Sequence, residues 1–300
     1  MDTVNVDTTN LQAEQVRAAR RTSTATRVRV GRLVLLVVDY LGLTAGAALM
    51  VVPFIWMLST SLKTMPQVFV FPPQWIPNPV EWSNYARAID SVSLRVVSNS
   101  VFVTTTITVG LLLFTTMSGF AFARLQLPGK DVLFLCFIAT MMVPANITLI
   151  PMFITVNWFG WVDTYQGIIL PNLGHGVAGV FLFRQFFSGI PRDLYDQAVI
   201  DGCNPWRSFA IVHLPLAGPA IAAFGTITAL NAWTMYLWPL VVTNSTELRV
   251  ITVAIAFLGR STESNVLMAA VVVSTLPMLM IYLVAQRWFV AGIAGTGLKG

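Results

Sequence analysis

The chain has 300 residues, 56% of them hydrophobic and 10% charged, where a soluble domain carries about 25% charged residues. That balance excludes a water-soluble monomer, and apolar runs of about 20 residues, each enough to cross ~30 Å of hydrocarbon, point to a multi-spanning membrane protein. The net charge of +5 comes from 18 basic residues scattered over the loops, without the stripe and interleaved aromatics of a nucleic-acid surface, so no nucleic acid partner is expected.

Residues 1–32, polar and rich in arginine, read as a cytoplasmic tail drawn to anionic membrane lipid. The apolar stretch that follows is longer than the roughly 7 to 15 residues of a signal-peptide core and is expected to remain as the first span, with Asp39 near its inner end. Six apolar blocks predict spans at about 33–58, 96–122, 131–155, 166–187, 216–242 and 266–290, within a permease domain of residues 33–300. Lipid supplies no hydrogen-bond partners, so such blocks must satisfy their backbones internally as helices, and the fold class is all-α and polytopic. Of the 18 basic residues, 13 lie on the side of the N-terminus and five (Lys63, Arg87, Arg95, Arg249 and Arg260) on the other. Both termini are therefore expected in the cytoplasm. The first outer loop mixes Pro72, Pro73, Pro77 and Pro79 with Trp75 and Trp82, a composition suited to a cap at the membrane interface.

Polar groups at membrane depth are costly, so Asn99, Asn146, Asn172, His175 and Asn231 should face other helices or a wet cavity. Helix-to-helix hydrogen bonding is one reading of each. In span four, however, Pro171, Asn172, Gly174, His175 and Gly176 loosen the helix and cluster polar atoms, which suggests a translocation path past Asn172 and His175, with Asn231 contributing from span five. Gly174, Gly176 and Gly179 also match G-x-G-x-x-G, but inside a span, where small residues let helices approach and no nucleotide site is expected. No Walker A pattern occurs, so the chain is not expected to hydrolyse ATP itself. Cys136 and Cys203 with two histidines give no metal-ligand or disulfide spacing, and no cofactor is predicted.

The longest inner loop, 188–215, has a full helix grammar. Pro191 suits a first turn, Asp193 and Asp196 favour the positive end of the helix dipole, Gly202 offers a left-handed stop, and Pro205 prevents direct continuation. A short helix, a turn and a second helix follow. Leu194, Ala198 and residues 200–203 leave apolar surface for a partner protein, or for the bilayer surface if the helix lies flat.

Asp196, Gln197, Ala198, Gly202, Val212, Leu214 and Pro215 stand at the spacing E-A-A-x-x-x-G-x(9)-I-x-L-P, and in this the chain resembles the inner-membrane permeases of bacterial ABC importers. Asp replaces Glu, Gln replaces Ala and Val replaces Ile. Ser61-Leu62-Lys63, Asn84-Tyr85, Ala121-Phe122-Ala123-Arg124, Met142-Val143-Pro144, Phe183-Arg184-Gln185-Phe186-Phe187, Leu237-Trp238-Pro239-Leu240 and the ending from Gln286 to Gly300 resemble the sugar-importer branch, the maltose-transporter G-type permeases. The resemblance implies a MetI-like type I importer fold in the bacterial inner membrane. It implies four partners besides the sugar: a second, homologous permease, two cytoplasmic ATPase domains that hydrolyse ATP, and an extracytoplasmic sugar-binding protein. It also implies an ATPase-coupling loop made by Asp196, Gln197, Ala198, Asp201, Gly202, Leu214 and Pro215. On the residues alone, half of an ion-coupled secondary transporter and a membrane scaffold subunit are the alternatives. The first needs buried acid or histidine relays, and the spans contain almost no acids; the second has no use for the loop.

Overall fold

The computed structural model describes residues 35–297; the N-terminal tail at 1–32 and the ending Leu298-Lys299-Gly300 lie outside them. Every regular element among the described residues is helical, and the chain divides into two units, Met1–Ser59 and Thr60–Gly300. In the first unit lies most of helix α1 (Leu35–Ser61), 27 residues long and apolar all round. Its side chains at 35–55 are exposed, as those of a helix surrounded by lipid are.

The second unit is built on α4 (Leu94–Arg124), after α2 (Met65–Val68) and α3 (Ser83–Val92). Val96, Val103, Ile107, Leu111 and Phe120 recur at helical spacing and form its buried stripe. Against it pack α7 (Tyr165–Leu173), α8 (Val177–Ser188) and α12 (Gly218–Trp233). Glycine sets the α4 to α8 distance. A Cβ on Gly119 would lie 2.6 Å from the Cβ of Phe183, and one on Gly179 2.7 Å from Cγ2 of Thr115 and 2.4 Å from the ring of Phe224. Gly176 and Gly179 of span four therefore serve close approach of helices, whereas Gly174 meets only the Pro171 carbonyl of its own segment.

Three continuous helices among the described residues are long and apolar enough to cross a membrane: Leu35–Ser61, Leu94–Arg124 and the Ser264–Val284 part of α15 (Ser264–Gly297). Two further candidates are bent pairs. The predicted span 166–187 is α7 and α8, meeting at 43°. Pro171, in the last turn before the bend, has no N–H to return to the carbonyl of Gly167; the indole of Trp238 donates to that carbonyl instead, at 3.1 Å. Three residues later the chain turns through 174–176 on short bonds from Gly174 N to Pro171 O and from His175 N to Asn172 O. The predicted span 216–242 ends at Trp233 and resumes as α13 (Leu237–Val242), while its inner end bends by 80° between Pro205–Leu216 and Gly218–Trp233. The block 131–155 is not one helix either: α5 (Lys130–Thr140) stops before the extended Pro144, and α6 (Ala145–Trp158) begins after it. By length and composition the described residues thus supply up to five crossings, where six were expected.

One element was not anticipated, the helix α14 (Ile251–Ser261), which follows a 3-10 turn at Thr246–Leu248 in what reads as an outer connection. Two polar clamps seat this region. Asn99, 3% exposed, donates from Nδ2 to the carbonyls of Glu247 (2.7 Å) and Arg249 (3.1 Å) while accepting from the Tyr165 hydroxyl at 2.7 Å. The Asp163 carboxylate accepts from the backbone N–H groups of Asn244 (2.9 Å) and Ser245 (3.0 Å) and from the Ser245 hydroxyl. The backbone donor on Ser245 is foremost in holding the Asp163 carboxyl below the usual carboxylate range.

Candidate functional site: the inner loop and an intramembrane cavity

The loop begins where Arg124, the last residue of α4, donates to the carbonyl of Phe187 at 2.6 Å and to that of Ile190. The Phe187 carbonyl, in the last turn of α8, also accepts from Ile190 N at 3.2 Å, and the Ile190 carbonyl lies two residues past the helix end. Pro191 is the N-cap of α9 (Arg192–Ile200), with Asp193 in its first turn. Only Ala198 of this helix is buried; Asp193, Leu194, Asp196, Gln197, Val199 and Ile200 are exposed. Its C-terminus is closed twice, by Gly202 N on Val199 O (3.0 Å) and Cys203 N on Ala198 O (2.9 Å), with Gly202 at φ +80°. This is the Schellman arrangement, in which an L side chain is opposed. Asp201, the C-cap, is exposed.

The next helix starts two residues on, where Asn204 Oδ1 accepts from Arg207 N at 2.9 Å and Pro205 takes the first position of α10 (Pro205–Arg207). A π-helical turn, Ser208–His213, leads into α11 (Leu214–Leu216), whose Pro215 carries no N–H for the preceding turn. The predicted helix, turn and helix are all present in order.

An aromatic box bolts this loop to the spans. Phe120 of α4 meets Phe187 of α8 at 5.9 Å edge-on and Phe209 of the loop at 5.3 Å, and Tyr195 of α9 lies 6.2 Å away. His213, 0% exposed, stands edge-on to Phe120 at 4.9 Å. Its Nδ1 lies 3.1 Å from the carbonyl of Ser208, to which it must donate, and burial pushes its pKa below the usual histidine range. Leu214 packs on the same cluster, while Pro215 is exposed. His213 was not singled out from the sequence; its only signal was a lone polar residue two places before the Pro of the motif.

Asp196 edges a small recess of about 90 Å³ that Arg124, Lys130 and Arg192 also line. It closes no ion pair with any of them.

The three residues assigned to a path are not brought together. His175 is exposed and lines an open cavity of about 830 Å³ between α5, α6, α7 and α8, with Thr140, Thr148, Thr155 and Trp161 on its walls. Phe159 and Trp161 stack at its edge, with centroids 4.7 Å apart and planes 18° from parallel. Asn172 is not on the lining: its side chain donates back to Ile168 O at 2.6 Å, one turn earlier on its own helix. Asn231 is exposed on α12, and Asn146 at the start of α6 is exposed too, neither of them on the cavity wall. A cavity of this size, mostly apolar with a few hydroxyls, an imidazole and stacked rings, can hold a small polyhydroxylated molecule.

Residues 116–295 match the family described as "Binding-protein-dependent transport system inner membrane component". The chain is similar to the arabinooligosaccharides transport system permease protein AraQ of Halalkalibacterium halodurans, 36% identical over 204 residues that cover 67% of this chain and 73% of the relative. It is similar also to the sn-glycerol-3-phosphate transport system permease protein UgpE of Brucella suis, 32% identical over 271 residues, 86% of this chain and 96% of the relative. Among solved structures, a chain from the crystal structure of a bacterial ABC transporter involved in the import of the acidic polysaccharide alginate aligns with a TM-score of 0.76 at 24% identity, covering 85% of this chain and 96% of that one. At that identity the likeness shows a shared fold.

Proposed function

The chain belongs to the inner-membrane components of binding-protein-dependent transport systems, and from that premise we propose how it serves as the permease of a sugar importer. It is a transport subunit of the bacterial inner membrane, the permease component of an ATP-driven importer. In our reading its cargo is a sugar or a hydroxyl-rich sugar derivative. It pairs with a second, homologous permease so that each supplies half of the pathway, receives cargo from an extracytoplasmic binding protein, and takes its energy from a cytoplasmic pair of ATPase subunits. Both termini face the cytoplasm, and α5 and α6 together make the sixth, broken crossing.

The observation that carries this reading is the construction of the 188–215 loop. Helix α9 offers Asp196, Gln197, Val199 and Ile200 outward, is closed at Gly202, and is fastened through Tyr195, Phe209 and His213 to Phe120 and Phe187 of the spans. Such a helix cannot be displaced by an ATPase without moving α4 and α8, because close-packed rings transmit displacement. The 830 Å³ cavity straddles the break at 174–176, with Leu170 and Pro171 before it and Val177 and Ala178 after it on the lining, so a change in bend opens or closes it.

The test is cysteine accessibility. With Cys136 and Cys203 first replaced by serine, His175→Cys should react with a polar thiol reagent at least about tenfold faster than Asn172→Cys, and its rate should change between nucleotide-free and ATP-bound assemblies. A slow, nucleotide-independent rate at position 175 would remove the cavity from the path.

A further inference from the structure

At the end of α4 opposite to the coupling loop lies a second cavity, about 670 Å³, on which three arginines converge. Arg95 stands in the first turn of α4, some 25 residues and about 37 Å of helix from Phe120, at ~1.5 Å per residue. Arg249 comes from the segment that Asn99 clamps, and Arg260 from the end of α14. Phe257 orders two of the three: the guanidinium carbon of Arg249 lies 4.2 Å from its ring centroid and that of Arg260 5.4 Å. The lining contains one carboxylate, Glu247, which pairs with Arg95 at 3.0 Å. Neither Arg249 nor Arg260 forms an ion pair with a carboxylate of the described residues. Three cations and one anion leave two positive charges facing one concavity.

Arg249 is half-buried and Arg260 exposed, so solvent screens part of the repulsion between two guanidiniums held at one ring, and an anion joining them would relieve the rest. We propose that this cavity binds a small carboxylated or phosphorylated solute, held by the planar donors of Arg249 and Arg260. The guanidinium forks match the paired oxygens of either group, and stacking on Phe257 fixes them in advance, which lowers the entropy lost on binding. A concave site of this volume suits a molecule of one or two sugar rings better than the broad face of a docked protein. That such an anion is cargo entering the pathway rests on the importer reading; that it binds here does not.

The full chain, purified in detergent with the subunits that accompany it, is titrated with inorganic phosphate, with glucuronate and with glucose while its melting temperature is followed. Phosphate and glucuronate should raise the melting temperature in a saturable way that added salt weakens, and glucose should not. Arg249→Gln and Arg260→Gln should each weaken the apparent affinity for phosphate by about tenfold or more, and Arg249→Lys, which keeps the charge without the fork, by less. Equal affinities in wild type and the double Gln variant, or no effect of either anion on the wild type, would overturn the site. If neither anion binds but the double variant loses affinity for the extracytoplasmic binding protein, the arginines serve protein docking and the proposal is wrong. Anion binding in an assembly that fails to use ATP for uptake would instead leave the site standing and defeat the importer reading.

Discussion

Replacing Gly202 by valine should lower ATP-driven uptake at least about tenfold while the chain still inserts, assembles and accepts loaded binding protein. Gly202 sits at φ +80° with nothing within 4 Å of the position a Cβ would take, so valine meets no neighbour there. What opposes it is torsional, about 1–2 kcal/mol, too little to unfold a membrane protein. It is enough to break the double closure on Ala198 and Val199 and so to re-aim α10 relative to α9. Gly202→Ala should fall between the two. Asp196→Lys probes the charge separately, because it adds a cation to a recess already lined by Arg124, Lys130 and Arg192. If the shortened acid meets the ATPase, Asp196→Lys uncouples as strongly as Gly202→Val; if the acid serves only to balance its own chain's cations, uptake falls less. Uptake and solute-stimulated ATP hydrolysis are measured together, with copurification as the check on assembly. Normal coupling in both variants would remove the loop from the mechanism.

Gly119→Val should be worse for the protein as a whole. Its Cβ would lie 2.6 Å from Phe183 Cβ, 2.8 Å from Arg184 N and 2.9 Å from Phe183 C, and none of these atoms belongs to the free end of a flexible side chain. The α4 and α8 backbones would have to separate along the contact that holds the aromatic box. Overpacking a close-packed site costs roughly 1–3 kcal/mol, and a forced backbone shift adds to it. The expected outcome is a melting temperature several degrees lower in detergent and little recoverable assembly. Gly218→Ala, at a helical position with nothing within 4 Å, is the control and should change neither. A Gly119→Val protein as stable as Gly218→Ala would show that the helices are not packed as described.

Legibility followed the range of the physics. The loop was readable because its signals are local: Pro191, Asp193, Gly202, Asn204 and Pro205 each act within a turn of themselves, and each takes the backbone role that its chemistry favours. Helices α4 and α15 were readable because they are long and apolar with the backbone satisfied inside each. The breaks were not. Pro151 and Pro277 lie within helices, whereas Pro144 caps the start of one and Pro171 lies in the last turn before a bend, and only tertiary partners decide which. The carbonyl that Pro171 leaves open is filled by Trp238, 67 positions away in the chain from Pro171 and 71 from the acceptor Gly167. The same holds for polar side chains at depth. Asn99, Asn172 and His175 look alike in sequence, yet Asn99 clamps a distant segment, Asn172 bonds back to its own helix, and of the three His175 alone faces the cavity. Helix α14 leaves little signal in the sequence, because only 11 residues carry it and its buried side, Ile251 and Val253, is two residues wide.

The central claim is that this chain moves a solute inward with energy from ATP hydrolysed by partners, transmitted through α9. It is tested most directly in sealed vesicles containing the chain and its copurifying subunits, with binding protein and labelled solute on one face and ATP on the other. The account predicts accumulation that needs both ATP and binding protein, that persists when ion gradients are collapsed, and that Gly202→Val removes. Accumulation driven by a proton or sodium gradient without ATP would contradict it.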